Sequence, residues 1–287
     1  KCNFIMSKQI QIAGVCGYPV HHSLSPLLHS AWLKALRIEG AYYSYEVRPD
    51  DAIRAFRSLK KTNISGVNVT LPLKKHAYLA SDIQTQQAKM LGVANCLYVR
   101  DGRLTAHNTD LEGFLDPLIN KLGAEETLQM PAFIIGTGGV ARAAIWALLS
   151  INHPEIYVTG RSGDKLVSLI QEVDRKNLKQ VDWKKRKDIL QNPALIINAT
   201  SAGMAGKPPL DLDLSSCSNK SFVYDLVYTP IETELLKNAK TQGCKTLGGL
   251  DMLIAQARPS FELFYNQAPP INLNVRKKLV KALDGRP

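Results

Sequence analysis

Apolar runs and helix-period segments alternate along this chain from one end to the other. Stretches such as QIAGVCG (11–17), AFII (132–135) and LIIN (195–198) are apolar at nearly every position, as strands covered on both faces are. Longer segments between them carry apolar residues three and four apart, the mark of helices packed on one side. The alternation predicts an α/β fold with largely parallel sheets. In the first half it predicts strands at 11–17, 41–47 and 66–69, and helices at 26–37, 51–60 and 74–80. Asp101-Gly102, between short strands at 94–100 and 103–106, signals a hairpin turn. The second half reads as helix 111–122, strand 132–135, a glycine-rich turn and helix 140–150, then strand 155–159 and helix 165–173. Strands at 195–198 and 222–226 follow, and helices at 250–265 and 274–283 close the chain. There is no internal repeat, and the proline-rich 207–209 reads as a loop.

A length of 287 residues favours two domains, and 45% hydrophobic with 21% charged residues is ordinary globular composition. No run approaches the roughly 18 apolar residues of a membrane helix. The opening KCNFIMSKQ has no secretory signal, so Met6 is the expected start, with residues 1–5 an upstream extension, and the cytoplasm the expected location. Cys2, Cys16, Cys96, Cys217 and Cys244 are scattered and never at CxxC spacing, which argues against a zinc ribbon or a disulfide framework. The net charge of +11 raises the question of nucleic acid. The positive residues are dispersed, however, and the densest run, Lys184-Lys185-Arg186-Lys187, has only Trp183 as aromatic company. It reads as a solvated face, and a basic surface also draws in anionic small molecules.

AFIIGTGGVARAA (132–144) is an apolar strand, a glycine-rich turn and a helix start in succession. That context gives a GxGxxA pattern its meaning. Gly136 allows the tight turn, Gly138 lets backbone approach a pyrophosphate, and Ala141 allows close helix–strand packing. Thr137, Gly139 and Val140 complete a loop whose helix N-terminus presents free N–H groups to phosphate. The next strand, IYVTG, ends at Gly160 in Arg161-Ser162 with no acidic residue at its tip. A guanidinium and a hydroxyl there suit the 2′-phosphate of NADP, where an acidic residue suits NAD.

In the first half, GYPVHHSLSP (17–26) follows a strand directly. Ser25-Pro26 has a structural reading, Ser as N-cap and Pro at the first helical position. Ser23 is then left without a task, and two hydroxyls at a helix N-terminus would hold a carboxylate. His21, His22 and His29 have no acidic or cysteine partner at ligand spacing, so no metal is expected. In NVTLPLK (68–74) the strand breaks at Pro72 and Lys74 follows. Lys74 is either a general acid/base, if burial lowers its pKa, or a solvent-facing lysine beside Lys75. Asp110, closing NTD (108–110), either caps the next helix or faces Lys74 as a proton-handling partner.

These segments together resemble the shikimate dehydrogenases. The likeness runs through GYPVHHSLSP, NVTLPLK, GVAN (92–95), NTD, GTGGVARA (136–143), NATSAGM (198–204), DLVYTPIET (225–233) and GGLDMLIAQ (248–256). It implies an N-terminal α/β substrate domain and a C-terminal Rossmann-type NADP-binding domain with a cleft between them. The first would span 1–110 and be completed by 249–287, the second 111–248. It implies reversible, NADPH-dependent reduction of 3-dehydroshikimate to shikimate, in aromatic amino-acid biosynthesis. By position, Ser23 and Ser25 would bind the substrate carboxylate. Thr70, Asn95, Asp110 and Gln256 would hold ring hydroxyls with Tyr228 nearby, and Lys74 would move the proton. Gly136 to Val140, Gly160, Arg161 and Ser162 would hold the cofactor, with Leu226 and Gly249 flanking the nicotinamide. Ser30, Cys96, Leu111, Gly160 and Asp251 depart from the common pattern. Within the family, the alternative is a quinate/shikimate enzyme using NAD or NADP. From another class, a non-catalytic dinucleotide- or nucleic-acid-binding protein would have no use for the Lys–Asp pair. The expected partners are small molecules, not nucleic acid or membrane, with the chain a monomer or homodimer.

Overall fold

The computed structural model describes residues 10–186, 190, 192 and 194–284. Cys2, Met6 and Lys187 lie outside them. The chain divides into a first unit, Lys1–Thr109 with Ala257–Leu279, and a second, Asp110–Gln256 with Val280–Pro287.

In the first unit, β1 (Gln11–Gly17), β2 (Gly40–Glu46), β3 (Ile64–Val69), β4 (Ile83–Gln84), β5 (Cys96–Arg100) and β6 (Arg103–His107) form one sheet in the order β2-β1-β3-β5-β6-β4. The sheets are largely parallel, as expected, and the antiparallel pairings lie here, around the expected hairpin. β2, β1 and β3 are parallel, but β5 runs antiparallel to both β3 and β6. The β5–β6 pairing comes from the hairpin at Asp101-Gly102, both with positive φ (52° and 70°), which reverses the chain without a crossover helix. Helices α1 (Ser25–Leu36), α2 (Ala52–Ser58), α3 (Lys74–Ala80) and α4 (Gln86–Leu91) accompany the sheet. The helix expected at 51–60 is shorter, flanked by 3₁₀ turns at Pro49–Asp51 and Leu59–Lys61. Hydroxyls of Ser58 and Thr62 donate to the carbonyls of Ala55 (2.7 Å) and Leu59 (2.9 Å), competing with helical continuation. Phe56, Val67, Leu73, Leu97 and Leu104 meet in a core under the sheet. A second cluster, of aromatic rings, surrounds His29. Its ring stacks on Tyr42 (4.0 Å between centroids), with Trp32 and Phe261 at 5.6 and 5.7 Å.

The second unit has β7 (Ala132–Ile135), β8 (Ile156–Thr159), β9 (Leu178–Gln180), β10 (Leu195–Asn198), β11 (Phe222–Asp225) and β12 (Lys245–Gly248). All pairings are parallel, in the order β12-β11-β10-β7-β8-β9. That is the doubly wound order of dinucleotide-binding sheets, with its switch point between β7 and β10. Every residue of β7, β10 and β11 is buried, which is why those runs lack alternation. Helices α5 (Asp110–Leu122), α6 (Ala124–Gln129), α7 (Gly139–Ser150), α8 (Gly163–Val173) and α9 (Glu234–Thr241) complete it. The last helices are α10 (Gly249–Tyr265) and α11 (Val275–Asp284). The division falls inside α10, between Gln256 and Ala257, and puts the start of that helix in the second unit. The second half of α10 packs in the first unit, where Tyr265 donates to the Ala41 carbonyl at 2.9 Å. No described helix is long and apolar enough to cross a membrane.

Candidate functional site

The first unit gathers polar groups at one edge of its sheet. β1 and β3 end there, and because β5 runs against β3, and β6 against β5, so do the start of β5 and the end of β6. Ser23, Ser25, Thr70, Lys74 and Asn95 all follow or precede strands at this edge. The two serines differ from the expected arrangement. Leu24 holds the N-cap position without a side-chain cap, and Ser25 is the first helical residue with Pro26 after it. The hydroxyl of Ser23, not that of Ser25, accepts from a helix-start amide, Ser25 N–H at 3.2 Å. Ser25 is buried and Ser23 half-buried. Local chain geometry rather than residue type decided this: a Ser two positions before an amide can reach it, whereas Ser25 already has helical backbone.

Thr70 closes against the end of β1. Its N–H donates to the Cys16 carbonyl at 2.9 Å, and Gly17 is required beside it, since a Cβ there would lie 2.6 Å from the Thr70 methyl. Lys74 is the first residue of α3 and half-buried, while Lys75 is exposed and donates to the Gly92 carbonyl at 3.2 Å. The two neighbours are thus not equivalent. Asn95 is buried and exchanges bonds with Thr109: its Oδ1 accepts from the Thr109 N–H at 2.8 Å and its Nδ2 donates to Thr109 Oγ1 at 3.0 Å. Beneath this edge lies a support that the sequence reading left without a role. Tyr42 donates to Asn68 Oδ1 at 2.8 Å, and Asn68 Nδ2 donates to the Asn95 carbonyl (3.2 Å) and to Ser260 Oγ (2.7 Å).

The second unit builds its site at the C-terminal ends of its strands. Gly136 has φ +129° and a Cβ there would lie 2.7 Å from the Ala199 carbonyl oxygen, so the loops after β7 and β10 meet on a glycine. Gly138 and Gly139 are exposed, and a Cβ on either would touch nothing within 4 Å. Gly138 is the N-cap of α7 and no side chain caps that helix. The orphan amides of a helix start therefore face open space, the surroundings a phosphate needs. Ala141 is fully buried against the sheet. At the tip of β8, Gly160 lies against Thr137, where a Cβ would approach the Thr137 methyl to 2.9 Å. This explains a glycine at 160: a larger residue would push on the glycine-rich loop. Arg161 and Ser162 follow, both exposed.

After β11, Gly249 again allows a close approach, since a Cβ there would lie 2.2 Å from the Leu226 carbonyl oxygen. Leu226 and Tyr228 are half-buried. Asp110 is the first residue of α5 and buried. Gln256 donates to the Leu253 carbonyl at 3.1 Å, and its Cβ sits where a side chain on Gly113 would be (2.4 Å). Lys74 and Asp110 fall in different units. Among the described residues no three His, Cys, Asp or Glu cluster as a metal site would require, and Cys16, Cys96, Cys217 and Cys244 are buried free thiols.

Two family models match, a shikimate dehydrogenase substrate binding domain over residues 15–97 and shikimate / quinate 5-dehydrogenase over 120–206. A curated shikimate dehydrogenase (NADP(+)) of Jannaschia sp. is 38% identical over 272 residues, covering 94% of this chain and 98% of its own. Among solved structures, quinate dehydrogenase from Corynebacterium glutamicum in complex with NAD has TM-score 0.86 at 28% identity, covering 95% of this chain and 99% of that one. Shikimate 5-dehydrogenase from Thermus thermophilus in complex with NADP(H) and shikimate has TM-score 0.80 at 31% identity, covering 91% and 95%.

Proposed function

Because this chain belongs to the shikimate dehydrogenase family, we propose how its residues divide the work of reducing 3-dehydroshikimate reversibly to shikimate with NADPH. The observation that carries the cofactor half is the uncapped, side-chain-free start of α7 at the switch point of a doubly wound sheet. Gly136, Thr137, Gly138, Gly139 and Val140 would hold the pyrophosphate there. Arg161 and Ser162, exposed at the tip of β8, would pair with the 2′-phosphate. Leu226 and Gly249 would flank the nicotinamide. When bound, NADPH supplies the hydride.

The first unit would supply the proton and much of the positioning, with Asp110, Tyr228 and Gln256 proposed from the second. Ser23 and Ser25 would take the substrate carboxylate and fix which ring carbon is presented. Thr70, Asn95, Asp110, Tyr228 and Gln256 would hold the ring oxygens. Lys74 would stabilise the negative charge that grows on the C3 oxygen and donate the proton to it, with Asp110 holding the ammonium. For shikimate oxidation the same groups run in reverse. The proposed reaction needs small-molecule partners only; the proposed carboxylate-binding serines, Thr70, Lys74 and Asn95 lie in the first unit and the proposed cofactor residues in the second.

Cofactor choice is tested at Arg161. In Arg161→Ala, the KM for NADP rises about tenfold to a hundredfold, the loss expected for one charge-assisted phosphate contact, while activity with NAD stays within about twofold. Equal losses with both cofactors would remove the 2′-phosphate from Arg161 and favour the NAD-linked alternative represented by the Corynebacterium structure.

A further inference from the structure

Asp225 ends β11 with its side chain fully buried, and among the described residues no cation pairs with it. Its carboxylate is held by neutral donors instead. Oδ1 accepts from Asn198 Nδ2 at 2.9 Å and from the Val227 N–H at 3.1 Å, and Oδ2 accepts from Thr233 Oγ1 at 2.5 Å. Two of these, the Val227 N–H and the Asn198 amide, are fixed as donors. Asn198 must present its amide nitrogen, because its Oδ1 already accepts from Thr200 N–H and Oγ1. Thr233 Oγ1 already accepts from Leu236 N–H as the N-cap of α9. Two fixed donors on Oδ1 and a hydroxyl on Oδ2 favour the ionised form of Asp225. Burial pushes its pKa up, and the same three partners pull it back.

The position of this charge gives it a function. The carboxylate is tucked under the backbone of Leu226 and Val227, and Gly249 N–H bonds the Val227 carbonyl at 3.2 Å. Leu226 and Gly249 are the residues proposed above to flank the nicotinamide, and the inference rests on that reading. We propose that Asp225 biases the bound cofactor couple toward its oxidised form, its uncompensated negative charge stabilising the positive ring of NADP⁺ over the neutral ring of NADPH. The phosphates are common to both forms, so their repulsion by Asp225 cancels in the comparison. In the reductive direction the ring gains positive charge as the hydride leaves, so the same carboxylate favours transfer to 3-dehydroshikimate. Asp225 is a positioning residue as well, since it ties the loops after β10 and β11 to the start of α9, but a tie alone would not discriminate between redox states.

The test is the ratio of the two dissociation constants, NADP⁺ by calorimetry and NADPH by its fluorescence. Asp225→Asn is isosteric: its oxygen can accept from Asn198 and Val227, and its amide can donate to Thr233, whose hydroxyl rotates. Removing the charge is expected to weaken NADP⁺ relative to NADPH by about fivefold or more, the effect of one charge several ångströms away in a partly screened site. Thr233→Val removes a hydrogen bond and keeps the charge, so it leaves the ratio within about twofold. Should Asp225→Asn not fold, Asp225→Ser removes the same charge and reads the same ratio. Equal weakening of both forms in the neutral variants would make Asp225 a structural tie only and overturn the inference, with the cofactor reading intact. A wild-type protein that binds neither form would overturn both.

Discussion

Lys74→Ala lowers kcat by about 10²- to 10⁴-fold, the range for loss of a positioned general acid, while the KM for shikimate changes by no more than a fewfold. The split follows from where charge develops. The substrate's carboxylate and ring hydroxyls are the same in ground and transition states, so in their proposed roles the serines, Thr70 and Asn95 would act mainly on KM. The C3 oxygen becomes negative only as hydride arrives, and only a group that meets it then acts on kcat alone. Lys74 is suited to this because it opens α3 directly after the Thr70–Leu73 turn and is half-buried, while Lys75 points away to the Gly92 carbonyl. Steady-state kinetics in both directions measures it. A variant that kept most of its turnover would show that the proton comes from elsewhere, and Lys75→Ala serves as the matched control.

The second large effect is on stability. Between pH 7 and pH 5 the first unit loses about 2 kcal/mol through His29 alone. Burial pushes the His29 pKa from its ordinary 6.5 down to about 3, and among the described residues neither ring nitrogen has a hydrogen-bond partner. The native state therefore holds the neutral imidazole while the unfolded chain takes up a proton below pH 6.5. Protons favour the unfolded state across that window, so stability is full above it and falls as pH drops toward the folded value. The ring is kept because it stacks on Tyr42 among Trp32 and Phe261. His29→Met, which fills similar space without polar atoms, flattens this part of the pH dependence and leaves stability at pH 7 equal or higher. Urea midpoints at pH 7, 6 and 5 decide it, and parallel slopes in the two proteins would assign the acid sensitivity to other groups.

What the sequence made legible were features carried by a few adjacent residues. The central strands β7 and β10 are near-continuous apolar runs, and Gly136-Thr137-Gly138-Gly139 between strand and helix specifies its own turn and anion-facing helix start. The antiparallel hairpin of the first sheet was legible locally in Asp101-Gly102. Short edge strands escaped because an edge needs few apolar positions: β9 is Leu-Lys-Gln and β12 begins Lys-Thr. α9 did leave a signal, Thr233 as cap followed by Leu235, Leu236 and Ala239 on one face. The supports of the site were out of reach for a different reason. Tyr42 and Asn68 are 26 residues apart, Asn198 and Asp225 27, and Asn68 and Ser260 192. No local pattern specifies pairings that only the finished sheets create, and a buried Asp reads in sequence like any strand-end polar residue.

The most direct measurement is absorbance at the nicotinamide band, with shikimate and quinate each offered to the folded protein together with NADP or NAD. Rapid reduction with shikimate and NADP, and much slower change in the other three mixtures, is the expected result. Comparable rates with quinate and NAD would contradict the assigned selectivity, and no change in any mixture would contradict the assigned chemistry.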